Sequence, residues 1–170
     1  MLSRLLKTYF VATALSPICF SLAYIAYQRK NSIELCALFV SIAVLLGASS
    51  FKIIELAKTK LEILPVTIKK AKSTDKEVIG FFVAYVLPIV FKNSNFDAGS
   101  MTMFVLLLAF VIWGTHSFQV NPLLGVFGYH FYEVDTESGI TFVLVTKKKI
   151  VNIKSIGRVV QLTEYMVLEV

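Results

Sequence analysis

Two histidines, His116 and His130, two cysteines, Cys19 and Cys36, and 11 carboxylates are the groups here with acid–base, nucleophilic or metal chemistry. Their spacing assembles none of the usual constellations. The histidines do not sit at metal-ligand spacing, and the chain has no HExxH, phosphate-cradling glycine loop or nucleophile elbow. Both cysteines lie inside apolar runs without a CxxC partner, so they read as small packed hydrophobes. His116 stands beside Trp113 and Ser117 at the end of the last apolar run and reads as an interfacial histidine. A proton-sensitive group facing a cavity is the alternative. No acidic residue falls inside an apolar run, which disfavours ion-coupled transport, since that chemistry needs ionisable groups within the membrane. The expectation is a non-enzymatic protein with no cofactor and no metal.

The cations are patterned more clearly than the anions. Seven lysines, 52, 58, 60, 69, 70, 72 and 76, fall in one polar stretch, and Lys147, Lys148 and Lys149 form a run near the C-terminus. Near a bilayer each lysine attracts anionic headgroups by about 1 kcal/mol, though the same lysines can simply obey the rule that basic residues stay inside. One short basic run without an aromatic platform argues against direct nucleic-acid binding. It suits an acidic protein partner instead.

The elements that carry these groups are mostly apolar. Hydrophobic residues make up 56% of the chain and charged residues 16%, against about 45–50% and about 25% in ordinary soluble domains. Four uncharged runs stand out, at about 8–28, 35–51, 78–92 and 101–120. A helix crosses hydrocarbon with about 20 residues. The third run reaches across only if Lys76 and Lys92 snorkel from its ends, and a tilted or re-entrant segment is the alternative. Ser21-Leu22-Ala23 imitates a signal-cleavage site, but the apolar run continues past it, favouring an uncleaved first span. With the N-terminus inside, 14 of the 17 basic residues face the cytoplasm, and Arg29, Lys30 and Lys92 face out. This predicts a multi-pass membrane protein with both termini cytoplasmic and two short external loops, "RKNSIE" and "KNSNFDAGS". Gly47-Ala48-Ser49-Ser50 would let helices approach closely, which favours a homo-oligomer.

Two polar pieces remain inside, residues 52–77 and 121–170. In the tail, "FYEV" and "TFVLVT" bracket a turn ending in Gly139, which predicts a hairpin. "KKKIVNI" is a candidate next strand, and "GRVVQLTEYMVLEV" reads as one long strand or two short ones. "LEILPVTIKKAKST" in the middle loop has similar character, with Pro65 limiting it to an edge or a bulge. A hairpin alone is marginal, so the middle-loop strand is expected to join the tail in one sheet. The predicted fold is a four-span α-helical bundle, residues 1–120, with a small cytoplasmic β-rich domain built from 121–170 and the middle inner loop. Asn121-Pro122 marks the exit from lipid, "LLGVFG" is an apolar bridge, and a strand begins at His130.

Four runs, a lysine-rich second inner loop, "VLPIVF" in the third run, and a tail opening "NPLLGVFGYHFYEV" and closing "VVQLTEYMVLEV" resemble one family. It is the membrane component of the Kiwa anti-phage defence system (KwaA-like). Asn121, Pro122, Leu123, Leu124, Gly128, Tyr129, Tyr132 and Val134 carry the likeness most sharply. The resemblance implies a sensor and scaffold at the inner membrane that detects phage attachment or injection as an oligomer, with a tetramer suggested. It further implies a docked cytosolic DNA-binding effector of the same system. The hinge and docking candidates are Asn121, Pro122, Gly128, Tyr129, Tyr132, Lys147, Lys148, Lys149 and Arg158. An oligomeric pore opened by infection or membrane stress is the competing expectation.

Overall fold

The computed structural model describes residues 2–30, 33–91 and 98–170. Residues 31–32 and 92–97, within the two predicted external loops, lie outside the described residues, as does Lys92.

The first apolar run is two helices, α1 (Leu2–Leu15) and α2 (Ile18–Lys30), bent by 42°. The break falls at Ser16-Pro17, where proline removes a backbone donor and crowds the preceding turn. Tyr85 of the third run relieves an exposed carbonyl there, its hydroxyl donating to the Ala14 carbonyl, while the Ser21 hydroxyl donates to the Tyr85 carbonyl at 2.6 Å and ties the two segments together. The second run is contained in α3 (Ile33–Lys60), which continues well past the predicted boundary at residue 51. The third is α4 (Val78–Val90), whose 13 residues rise about 20 Å, short of the roughly 30 Å of hydrocarbon. The fourth is α5 (Ala98–Thr115), followed after an 86° bend by the short α6 (Pro122–Val126). Among the described residues, α3 alone is long and apolar enough to cross a membrane by itself. The number rises to three if each bent pair is one span.

Six strands form one sheet in the order β1-β5-β6-β4-β3-β2. They are β1 (Ile63–Pro65), β2 (Ile68–Ser73), β3 (His130–Thr136), β4 (Thr141–Thr146), β5 (Arg158–Thr163) and β6 (Met166–Glu169). The middle loop therefore does join the tail, and it supplies both edges. β1 pairs with β5 and β2 with β3. The expected hairpin is β3–β4, closed by a turn with Gly139 at φ +80°. "KKKIVNI" is not a strand; it forms a loop ending in a 3₁₀ turn at Ile153–Ser155. The final segment is two strands separated at Glu164-Tyr165.

The edges cannot lie far apart. From Pro65 to Ile68 the chain reaches about 10 Å at most, whereas six flat strands would place β1 and β2 about 24 Å apart. The sheet is therefore rolled into a barrel, with β1 and β2 as halves of one strand bent at Pro65. So counted, the strand order is 1-2-3-5-4-1, with β4–β6 as its single parallel pair. That is the topology of the OB-fold. It is discontinuous here, because α4, α5 and α6 are inserted between its first and second strands.

Alternation along the strands separates two cores. Ile68, Val134, Leu144, Val159 and Val167 fill the barrel, with Ile150, Ile153 and Ile156 plugging it. Phe131, Val145, Val160, Leu162, Met166 and Leu168 belong to the second core, together with Phe10, Ala14, Ile54 and Leu124 of the helices. The β6 strand is buried on both faces for this reason.

Candidate functional site

The junction between helices and barrel is built around Asn121, which is fully buried. Its side-chain oxygen accepts the Leu123 N–H at 3.0 Å, capping α6, and Pro122 occupies the first helical position. Its amide donates to Thr13 Oγ1 at 2.8 Å and to the Phe10 carbonyl at 3.4 Å. One side chain thus fixes the exit from α5, the start of α6 and the middle of α1. The far end of α6 closes with Gly128 at φ +80°, and the Tyr129 N–H reaches back to the Leu124 carbonyl at 3.1 Å. This is a Schellman closure, in which glycine takes the left-handed position without strain. The predicted apolar bridge is therefore a rigid corner that delivers the chain to β3 at His130.

Tyr129 is buried at this corner. Burial, with a smaller contribution from the Glu55 charge, holds its phenol above the usual tyrosine range. The Lys147 ammonium lies 5.0 Å from the Tyr129 ring and 5.5 Å from Phe51 of α3, bridging barrel and helix by cation–π contacts. Asp75 makes a second tie, between the β2–α4 connection and the start of β3. Its carboxylate accepts the Phe131 N–H at 2.9 Å and lies 3.1 Å from His130 Nδ1.

The sequence-predicted candidates fall into three groups. Asn121, Pro122, Gly128, Tyr129 and Lys147 meet at the junction. Tyr132 points into the barrel, where its hydroxyl accepts the Ile150 N–H at 3.2 Å. Lys148 is held by Glu169, whose buried carboxylate it meets at 2.8 Å while Thr146 donates to the other oxygen. Lys149 and Arg158 remain exposed, joined by Lys154 and by Val151, which is 98% exposed. The lysine run is thus mostly an internal fastening, with its free charge displaced toward the loop that follows.

Sequence reasoning missed Thr13, Asp75 and Glu169. Asp75 was readable, since Ser73-Thr74-Asp75 ahead of an apolar run is a helix-start pattern. Thr13 inside a run and Glu169 near the end carry no local signal. The small residues of α3 also serve a use within the chain: Gly47 faces Leu123 of α6, and Ser49 accepts the Tyr9 hydroxyl at 2.5 Å.

OB barrels commonly bind oligonucleotides on the face of their second and third strands. Here Phe131 and Val145 of that face are buried in the core shared with α1 and α6. What stays open is a cleft of about 240 Å³ bearing Glu77 and Glu133. Among the described residues no His, Cys, Asp and Glu cluster of three or more could hold a metal ion.

A family model described as anti-phage protein KwaA matches residues 6–168. No curated protein and no solved structure matches the chain.

Proposed function

The chain belongs to the KwaA family of anti-phage proteins, and from that premise we propose a non-enzymatic sensor and scaffold at the bacterial inner membrane. In this reading the four apolar runs all enter the bilayer, with α1–α2 as one broken span and α4 as a short or tilted one. Both termini face the cytoplasm, and the barrel lies beneath the membrane as the docking platform for a cytosolic effector of the same defence system. The observation that carries the reading is the split barrel. Its first strand hangs between α3 and α4, and its remaining strands follow α6, so a shift among the helices acts directly on the barrel edges. The docking surface is the exposed loop side, Lys149, Val151, Lys154 and Arg158, which suits an acidic surface with an apolar contact. Nucleic acid is left to the effector, because the usual OB face is covered and its open part is acidic.

Co-purification of the full-length protein with the soluble partner encoded beside it tests this reading. Reversing charge at Lys149, Lys154 and Arg158 together should abolish capture while the protein still folds and inserts. Unchanged capture would place docking elsewhere. Loss of membrane potential on expressing the chain alone would favour the pore.

A further inference from the structure

A second feature lies at the other end of β5 from the docking loop. Lys7 of α1 carries a cation with no carboxylate within ion-pair distance among the described residues. Its ammonium sits 3.3 Å from His116 Nε2, 5.1 Å from the Trp113 ring and 5.6 Å from the Phe118 ring. A cavity of about 330 Å³ opens beside these groups, and Glu164 and Tyr165 of the β5–β6 turn complete its wall. His116 holds a left-handed backbone at φ +59°, rare for a residue other than glycine. It directly follows α5, where a left-handed residue commonly ends a helix and turns the chain. The position is also informative, because Trp113 and His116 stand where the uninterrupted apolar helix α5 ends. Tryptophan and snorkelling lysine mark headgroup depth at that point.

We propose that this cavity binds a phosphate group at the membrane surface, with Lys7 as its counter-ion and His116, whose Nε2 accepts from the Lys7 ammonium, holding that cation in place. The aromatic walls keep the ammonium fixed and partly dry, which strengthens its attraction for an anion. Glu164 opposes it and sets the affinity low enough for exchange. The site stands apart from the docking loop and does not depend on it.

Trp113 is the single tryptophan of the chain, so its emission reports on this cavity directly. The full-length protein in a neutral detergent is titrated with short-chain phosphatidylglycerol, short-chain phosphatidylcholine and inorganic phosphate in turn. A saturable change with phosphatidylglycerol is expected, at least tenfold weaker with phosphatidylcholine, whose choline cation neutralises its phosphate and is repelled by Lys7. Competition by inorganic phosphate assigns the recognition to the phosphate itself, whereas no competition assigns it to the lipid headgroup; both support the site. Lys7→Gln should weaken binding about tenfold and Lys7→Arg should restore it. Glu164→Gln should tighten binding several-fold, a gain that misfolding cannot imitate. Equal responses to both lipids, or unaltered affinity in Lys7→Gln and Glu164→Gln, would overturn the proposal.

Discussion

Replacing Asn121 by alanine probes the junction most sharply, because three separate bonds converge on one buried side chain. Loss of the cap on Leu123 costs about 1 kcal/mol, within a range of about 0.5–2. Loss of the buried bond to Thr13 costs about 1 kcal/mol more. The 3.4 Å contact to Phe10 is long, and its carbonyl keeps the Thr13 hydroxyl at 3.0 Å, so it adds little. Asn121→Ala should therefore destabilise the chain by about 2–3 kcal/mol. Serine keeps a capping oxygen but cannot reach across to α1, so Asn121→Ser should lose about 1 kcal/mol. Denaturation in mild detergent, followed by circular dichroism, measures both variants against the native chain. A cycle with Thr13→Val should return a coupling of about 1 kcal/mol, as expected for residues in direct contact. If Asn121→Ala fell within about 0.5 kcal/mol of the native chain, or if serine proved as stable as asparagine, the staple between α1 and α6 would not exist.

Three further outcomes follow from the same geometry. Gly128→Ala should cost about 1–2 kcal/mol by thermal unfolding, since nothing crowds its Cβ and the penalty is the left-handed backbone alone. Gly47→Ala should be neutral or slightly stabilising in the same assay. Its Cβ would meet Leu123 at an ordinary 4.0 Å, and alanine favours helix by about 1 kcal/mol. Tyr129 has its folded pKa raised above the ordinary 10.0, so its contribution is complete below that value and drains away as pH climbs through the folded pKa. Stability measured across alkaline pH should thus fall less steeply in Tyr129→Phe than in the native chain.

How far the sequence could be read depended on the range of the forces involved. The β3–β4 hairpin was legible because strand alternation and a glycine turn are local, and the exit at Asn121-Pro122 was legible for the same reason. Pro65 excluded a central strand, and the middle loop indeed supplies edges. That β1 and β2 close opposite edges of one barrel was not legible, because Pro65 signals a bend but the pairing on either side of it is long-range. The loop after β4 looked like a strand from its Ile-Val-Ile content. Those isoleucines instead plug the barrel, where burial and not pairing rewards them. The run at 8–28 has the composition of one span, and the Ser16-Pro17 break is stabilised by Tyr85 and Ser21, contacts invisible to a hydropathy profile. In the docking set, Lys147 and Lys148 read as charge free for a partner, because Phe51 and Glu169, which hold them, are remote in sequence.

The central claim is that one segment between α3 and α4 closes both edges of the barrel. Cysteine pairs test it directly in a Cys19→Ala, Cys36→Ala background, one pair at Lys72 and Glu133 and the other at Pro65 and Arg158. Each pair is directly opposed across an edge of the sheet, by Lys72↔Glu133 and Pro65↔Arg158. Mild oxidation in native membranes should form both crosslinks within a single chain, and in the same molecules when all four cysteines are present. Crosslinking at one edge only, or between chains, would contradict the closed barrel and the coupling of helices to it.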